Sequence, residues 1–172
     1  MAKTPLRLAW PKIPALSALV LSGLLAAAPL ATAGTRPADA AMSPSATCTQ
    51  KSTLAGTHLS DLQIAQYARN NGGLHGNGLI ISIAVALAES QGWTQAVLIN
   101  TDCSRDRGVW QINSFWHSEV TDAQAFNPVT CAQATARISS NGADWTPWTT
   151  YNNGAYNQYM SRARTAASQA GG

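Results

Sequence analysis

Charge is scarce in this chain. Charged residues make up 11% of its 172 positions, and its formal +3 reflects 11 basic against 8 acidic side chains. Glutamate is scarcer still, with Glu89 and Glu119 the only two. Even the small basic excess is local, because Lys3, Arg7 and Lys12 all precede an apolar stretch from Ala15 to Ala33. A chain starting at Gly34 carries eight basic and eight acidic residues, and one starting after Ala40 also loses Arg36 and Asp39 and carries seven of each. Such a surface lacks the basic face that nucleic acid or an anionic membrane requires. Metal ligation is equally unsupported, since His58, His75 and His117 show no ligand-type spacing with Cys48, Cys103 and Cys131. No internal repeat is present, and no cofactor is expected.

The N-terminal segment has the layout of a cleaved secretory signal: basic residues, then an Ala-rich run broken by Pro14 and Pro29, then small residues at Ala31-Thr32-Ala33. Those prolines argue against a membrane anchor. A second small-residue site at Ala38-Asp39-Ala40 makes cleavage at 40 the alternative. Residues 1–33 are therefore read as the signal and residues 34–54, rich in Ala, Ser, Thr and Pro, as a flexible leader. Residues 55–172 form one domain, because the roughly 130 residues left after cleavage suit a single core. An exported chain tends to oxidise its thiols. Cys103 with Cys131 is the favoured pair, since both lie inside the expected folded region, and pairings that use Cys48 remain the alternative.

Ser60 with Gln63 three residues on predicts a capped helix to about Asn70, with Leu62, Ala65 and Ala68 inward. Asn77 is the expected cap of a second helix, Leu79 to Glu89, which is apolar nearly all round and stops near Gly92. That makes it the central buried helix. Between Val97 and Asn113, crowded Asn, Asp, Ser and Gly residues predict an irregular hairpin or small sheet. Asn127-Pro128 opens another helix that ends at Asn141-Gly142. After the Trp-rich loop 144–148, a last helix spans about Ala155 to Ser168. The fold class expected is α+β, mainly α, with a small β lobe beside a cleft.

Glu89 stands at the C-terminal end of the most hydrophobic helix in the chain. The negative end of a helix dipole and partial burial both disfavour a carboxylate, so both raise the pKa of its acid. An acid still protonated near neutral pH is what a leaving glycosidic oxygen needs. Gln111 and Asn113 alternate with apolar Trp110 and Ile112, so on a strand their amides face the cleft, where they suit sugar hydroxyls and N-acetyl groups. Glu119 and Asp122 are expected to be solvated or capping groups. His117 shows no paired nucleophile, and a Cys-His hydrolase is disfavoured by cysteines committed to disulfides.

Read straight through, Glu89-Ser90, Thr94-Gln95-Ala96, Asn100-Thr101-Asp102, Ser104, Asp106, Gly108 and Gln111-Ile112-Asn113-Ser114 resemble the active-site segment of the c-type (animal) lysozymes. The 17 residues from Glu89 to Asp106 match the spacing of that family's two carboxylates. The resemblance implies Glu89 as general acid and Asp106 as the carboxylate that stabilises or attacks an oxocarbenium ion, a division of labour for which lysozyme is the type case. It also implies Asn100, Gln111, Asn113 and Trp116 as substrate-binding residues, Trp116 at a sugar-stacking position. Arg105 and Arg107 are expected to help keep Asp106 ionised. The match departs from the family at Cys103, which replaces a glycine turn position, and in lacking the remaining cysteine framework of the animal enzymes.

Tyr151-Asn152-Asn153-Gly154 resembles the Tyr-Asn-x-Gly element of bacterial lytic transglycosylases and goose-type lysozymes, in which the tyrosine supports the catalytic glutamate. The block from Ser104 to Trp116 and the Trp145/Trp148 region also resemble lysozyme-like domains of actinobacterial and phage cell-wall enzymes. Together these imply a secreted or cell-wall/periplasmic, monomeric enzyme acting on the β-1,4 bond between N-acetylmuramic acid and N-acetylglucosamine of peptidoglycan. Muramidase and lytic transglycosylase both remain open at this point, and a non-catalytic wall-binding module is the alternative.

Overall fold

Ser60 and Gln63 make the reciprocal cap that their spacing predicts: the Gln63 amide donates to Ser60 Oγ at 3.3 Å, and Gln63 Oε1 accepts from the Ser60 amide at 2.9 Å. Helix α1 then runs Asp61–Asn70. These elements come from a computed structural model that describes residues 47–172, so the expected signal and the leader up to residue 46 lie outside the described residues. Helix α1 buries Ile64, Ala65 and Ala68, whereas Leu62 is only half-buried and Ile64 takes the inward place expected for it.

Helix α2, Gly76–Ser90, is the central element. It starts earlier than expected, with His75 rather than Asn77 at the cap position and no side-chain cap hydrogen bond. Its stability comes instead from packing, since Leu79, Ile81, Ile83, Val85 and Leu87 are all buried among its neighbours. Helix α1 packs on it from one side, and α6, Met160–Gln169, together with the preceding 3₁₀ turn Ala155–Tyr159, packs from another. Asn127 caps helix α4, Pro128–Ile138, by accepting from the Val129 amide at 2.9 Å, as its Asn-Pro signal predicts. Short helices α3, Asp122–Phe126, and α5, Thr149–Asn152, complete the helical part. Among the described residues, no helix is long and apolar enough to cross a membrane.

The β lobe is an antiparallel sheet in the order β1-β2-β3-β4, formed by Lys51–Thr53, Val97–Ile99, Arg105–Arg107 and Ile112–Asn113. The chain is thus mainly helical with a small sheet, the architecture expected. Strand β1 corrects one boundary, because residues 51–53 were read as leader and instead pair with β2. The disulfide is corrected with it. Cys48 bonds to Cys103, with Cα atoms 5.1 Å apart, while Cys131 is a free, buried thiol on α4. The Cys48 amide donates to Thr101 O at 2.9 Å, which lays this segment along the loop that carries Cys103. Cys131 faces the core beside Gly108.

Two positions demand unusual backbone. Cys103 has φ 66°, the left-handed region that explains why the similar family has glycine there. Gly108 has φ 77°, and a Cβ at this position would fall on the carbonyl oxygen of Ala125, so only glycine lets the sheet lobe close on α3. Replacing Cys48 by Ser frees a bridge spanning 55 residues. Loop entropy of that size is worth about 2–4 kcal/mol. Thermal unfolding with and without reductant checks this: the wild type should lose Tm on reduction to the variant's level, and the variant should not respond.

Candidate active site

The end of α2 is tied to the β lobe by Ser90, whose Oγ donates to Val109 O at 2.7 Å and accepts from the Gly92 amide at 3.1 Å. Indole groups complete the joint. Trp110 Nε1 donates to Ser82 O and Oγ at 3.1 and 3.0 Å, and Trp148 Nε1 donates to Trp110 O at 2.7 Å. Both indoles are buried, so each N–H is satisfied where leaving it unpaired would be costly. This framework fixes the last turn of α2, which carries Glu89, relative to the β lobe.

Glu89 and Asp106 line one cavity of about 860 Å³, together with Asn100, Gln111, Asn113 and Trp116. Six of the seven residues singled out from sequence as catalytic or substrate-binding therefore meet in one place. Burial pushes the Glu89 carboxyl above its ordinary pKa, and the negative charge of Asp106 pushes it further, while hydrogen bonds from Thr150 pull it back. The Thr150 hydroxyl donates to Glu89 Oε1 at 2.6 Å.

Asp106 occupies the middle of β3, directly opposite Asn113 on β4 and Leu98 on β2. Asn113 Nδ2 donates to its Oδ1 at 2.6 Å, and Asn100 Nδ2 donates to its Oδ2 at 3.1 Å. Each carboxylate oxygen thus has its own amide. Ser104 Oγ accepts from both amides at 3.1 Å and donates to Asp102 Oδ1 at 2.7 Å, which fixes the amides in turn. Asn113 Oδ1 accepts from the amides of Phe115 and Trp116 at 2.8 and 3.2 Å, anchoring the lip of the cavity. There Trp116 is 74% exposed, an open aromatic face at the mouth of a polar site.

Several expected roles change in the folded chain. Arg105 and Arg107, adjacent to Asp106 in sequence, both pair with Asp122, at 2.8 Å each. Alternation along β3 turns them away from Asp106, whose partners are neutral amides instead. Asp122 stays half-exposed, as expected of a solvated group, but it is paired: Arg107 first, and Arg105 with it, hold its carboxyl below the usual range. Gln111 precedes β4 with φ 49° and spends its amide N–H groups on Ala96 O and Gly108 O at 3.0 and 2.8 Å. It lines the cavity through a side chain already committed to the turn.

Tyr151 is not among the cavity-lining residues; it stacks on Tyr156, with ring centroids 4.9 Å apart. The hydroxyl that reaches Glu89 comes from Thr150, one residue earlier. Nothing in the local pattern separates Thr150 from Thr149, so sequence reading had no means of finding it. Gln50 was also missed: it enters the cavity wall from the disulfide-pinned segment that had been read as leader. Cys131 offers no nucleophile, for a reason other than the one expected. It is free, but burial pushes its thiol up to about 11, so the reactive thiolate is suppressed. Among the described residues no group of His, Cys, Asp and Glu is arranged to hold a metal.

A family model described as "Lysozyme like domain" matches residues 65–150, half of the chain. The chain belongs to that family. The matched span of this lysozyme-like domain begins within α1, ends at Thr150, and contains Glu89, Asp106 and the whole amide network. Membership points to peptidoglycan glycan strands as the substrate class and to glycosidase or transglycosylase chemistry as the class of activity. No curated protein and no solved structure matches the chain.

Proposed function

We propose that this lysozyme-like domain is a muramidase that hydrolyses the β-1,4 bond between N-acetylmuramic acid and N-acetylglucosamine in peptidoglycan. The observation that carries the reading is one cavity shared by two unlike carboxyls. Glu89 is desolvated and raised in pKa, while Asp106 is met on each oxygen by an amide donor. A desolvated carboxyl facing a second one held by polar donors is the arrangement that glycoside hydrolysis uses.

In this reading Glu89 gives its proton to the glycosidic oxygen as the C1–O bond breaks, and the N-acetylglucosamine side leaves as an alcohol. Asp106 faces the positive charge that develops at C1, as stabiliser or as nucleophile, with Asn100 and Asn113 holding its orientation. Water then adds at C1 and returns a proton to Glu89, leaving a reducing end. Trp116 stacks on a sugar face, and the remaining polar wall takes the hydroxyl and N-acetyl groups. All of these groups come from a single chain, consistent with a monomer exported to the cell wall, whose partner is the glycan strand.

A second reading, lytic transglycosylation, keeps Glu89 and replaces water by the sugar's own 6-hydroxyl. The Tyr151-Asn152-Asn153-Gly154 element resembles that class in sequence, although Tyr151 stacks on Tyr156 and it is Thr150 that reaches Glu89. Mass spectrometry of digested peptidoglycan separates the two. Hydrolysis leaves reducing ends, whereas 1,6-anhydro ends would replace the muramidase reading by the second. Binding to insoluble wall with no fragment released would reduce the protein to a wall-binding module.

A further inference from the structure

The carboxyl of Glu89 has two oxygens, and only one of them can deliver a proton to substrate. Its Oε1 is occupied at 2.6 Å by the hydroxyl of Thr150, which donates to it. Thr150 is the second residue of α5 and is itself half-buried at the cavity wall, two residues after Trp148, whose indole is locked to Trp110 O. The hydroxyl is therefore carried by a short helix that follows directly on the buried, hydrogen-bonded Trp148.

We infer that Thr150 is the positioning residue of the acid: its hydroxyl claims Oε1, so that the proton resides on Oε2 and is aimed into the cavity. This rests on the proposed function for its kinetic consequence, but not for its chemistry. An oxygen that accepts a short hydrogen bond from a fixed donor is a poor site for a proton, because the donor's own hydrogen already lies where that proton would sit. The same bond sets the working range of the acid. Burial and the negative charge of Asp106, facing Glu89 from β3, raise its pKa, and Thr150 is the group that opposes them from α5. The other titratable groups on the cavity wall are Asp102 and His117. Without Thr150, Glu89 would hold its proton more tightly and in either of two orientations.

Thr150→Val keeps the shape of the side chain and removes the hydroxyl donor while leaving the backbone hydrogen bond of residue 150 in place, and Thr150→Ser restores the hydroxyl. With a soluble glycan substrate, Thr150→Val is expected to lower kcat about 10- to 100-fold. KM should stay within about twofold of wild type. The basic limb of the pH profile should move to higher pH, because loss of a donor to the charged form raises the folded pKa, and Thr150→Ser should bring both back. The midpoint of Glu89 can also be followed without any activity, by carbon NMR of the glutamate carboxyls. Only Glu89 and Glu119 contribute, and Glu119→Gln assigns them.

An upward shift of the Glu89 midpoint in Thr150→Val, reversed in Thr150→Ser, supports the inference. A wild type that cuts no glycan while showing this shift would remove the proposed function and leave the positioning of the carboxyl standing. A folded Thr150→Val whose Glu89 midpoint does not move overturns the inference, whatever its kcat. So does a Thr150→Ser no better than Val in both readouts.

Discussion

Replacing Glu89 by Gln is expected to slow release of peptidoglycan fragments by about 10²–10⁴-fold. The change keeps the size of the side chain and the oxygen that accepts from Thr150, and it removes the transferable proton. A purified variant that cleared cell walls at the wild-type rate would eliminate Glu89 as the acid. The same substitution should stabilise the protein at neutral pH. The folded-state pKa of Glu89 lies above its unfolded value, so its contribution to stability is fully present below the unfolded pKa and is lost as pH rises through the folded one. Gln cannot ionise. The Tm advantage of Glu89→Gln should therefore grow as pH rises past the ordinary glutamate range and shrink as pH falls below it, and scans across that window measure it. A functional acid that costs stability is common in enzymes, where the site is arranged for chemistry rather than for folding.

Asp106→Asn should lower hydrolysis by about 10²–10³-fold, the usual loss when a preorganised electrostatic group is removed from a site of developing charge. Two further effects follow from the contacts of Asp106. Asn100 Nδ2 and Asn113 Nδ2 both donate to the carboxylate, so the new amide must turn its own N–H₂ toward one of them. That mismatch should cost about 1–3 kcal/mol and appear as a lower Tm. The negative charge of Asp106 also helps raise the pKa of Glu89. With that charge gone, Glu89 ionises more readily, and the basic limb of any residual activity should move to lower pH, the direction opposite to Thr150→Val. A variant with undiminished turnover and 1,6-anhydro products would show that Asp106 is dispensable, as transglycosylation allows.

Local signals were legible wherever the physics is local. The Ser60 and Asn127 caps depend on side chains within three residues of their targets, and both helices begin where those signals stand. The apolar run from Leu79 to Leu87 could be satisfied only by burial, and it became the core. Asn77 misled because a helix buried on all sides takes its start from packing rather than from a cap. Arg105 and Arg107 misled because adjacency in a strand means opposite faces, which sent both to Asp122. The cysteines misled because their pairing depends on where the segment before β1 lies, and that segment carries no periodic signal of its own.

The sequence by itself determined a central apolar helix and a glutamate at its end that burial must raise in pKa. These follow from composition, period and helix electrostatics, which act along the chain. Only the tertiary structure decided what surrounds that glutamate. It brought Asp106 into the same cavity from a strand, fastened it with Asn100 and Asn113, and placed Thr150 on Glu89 from a helix 61 residues away. Hydrogen bonds of this kind depend on the direction of side chains meeting across elements, and no spacing within one element specifies that direction.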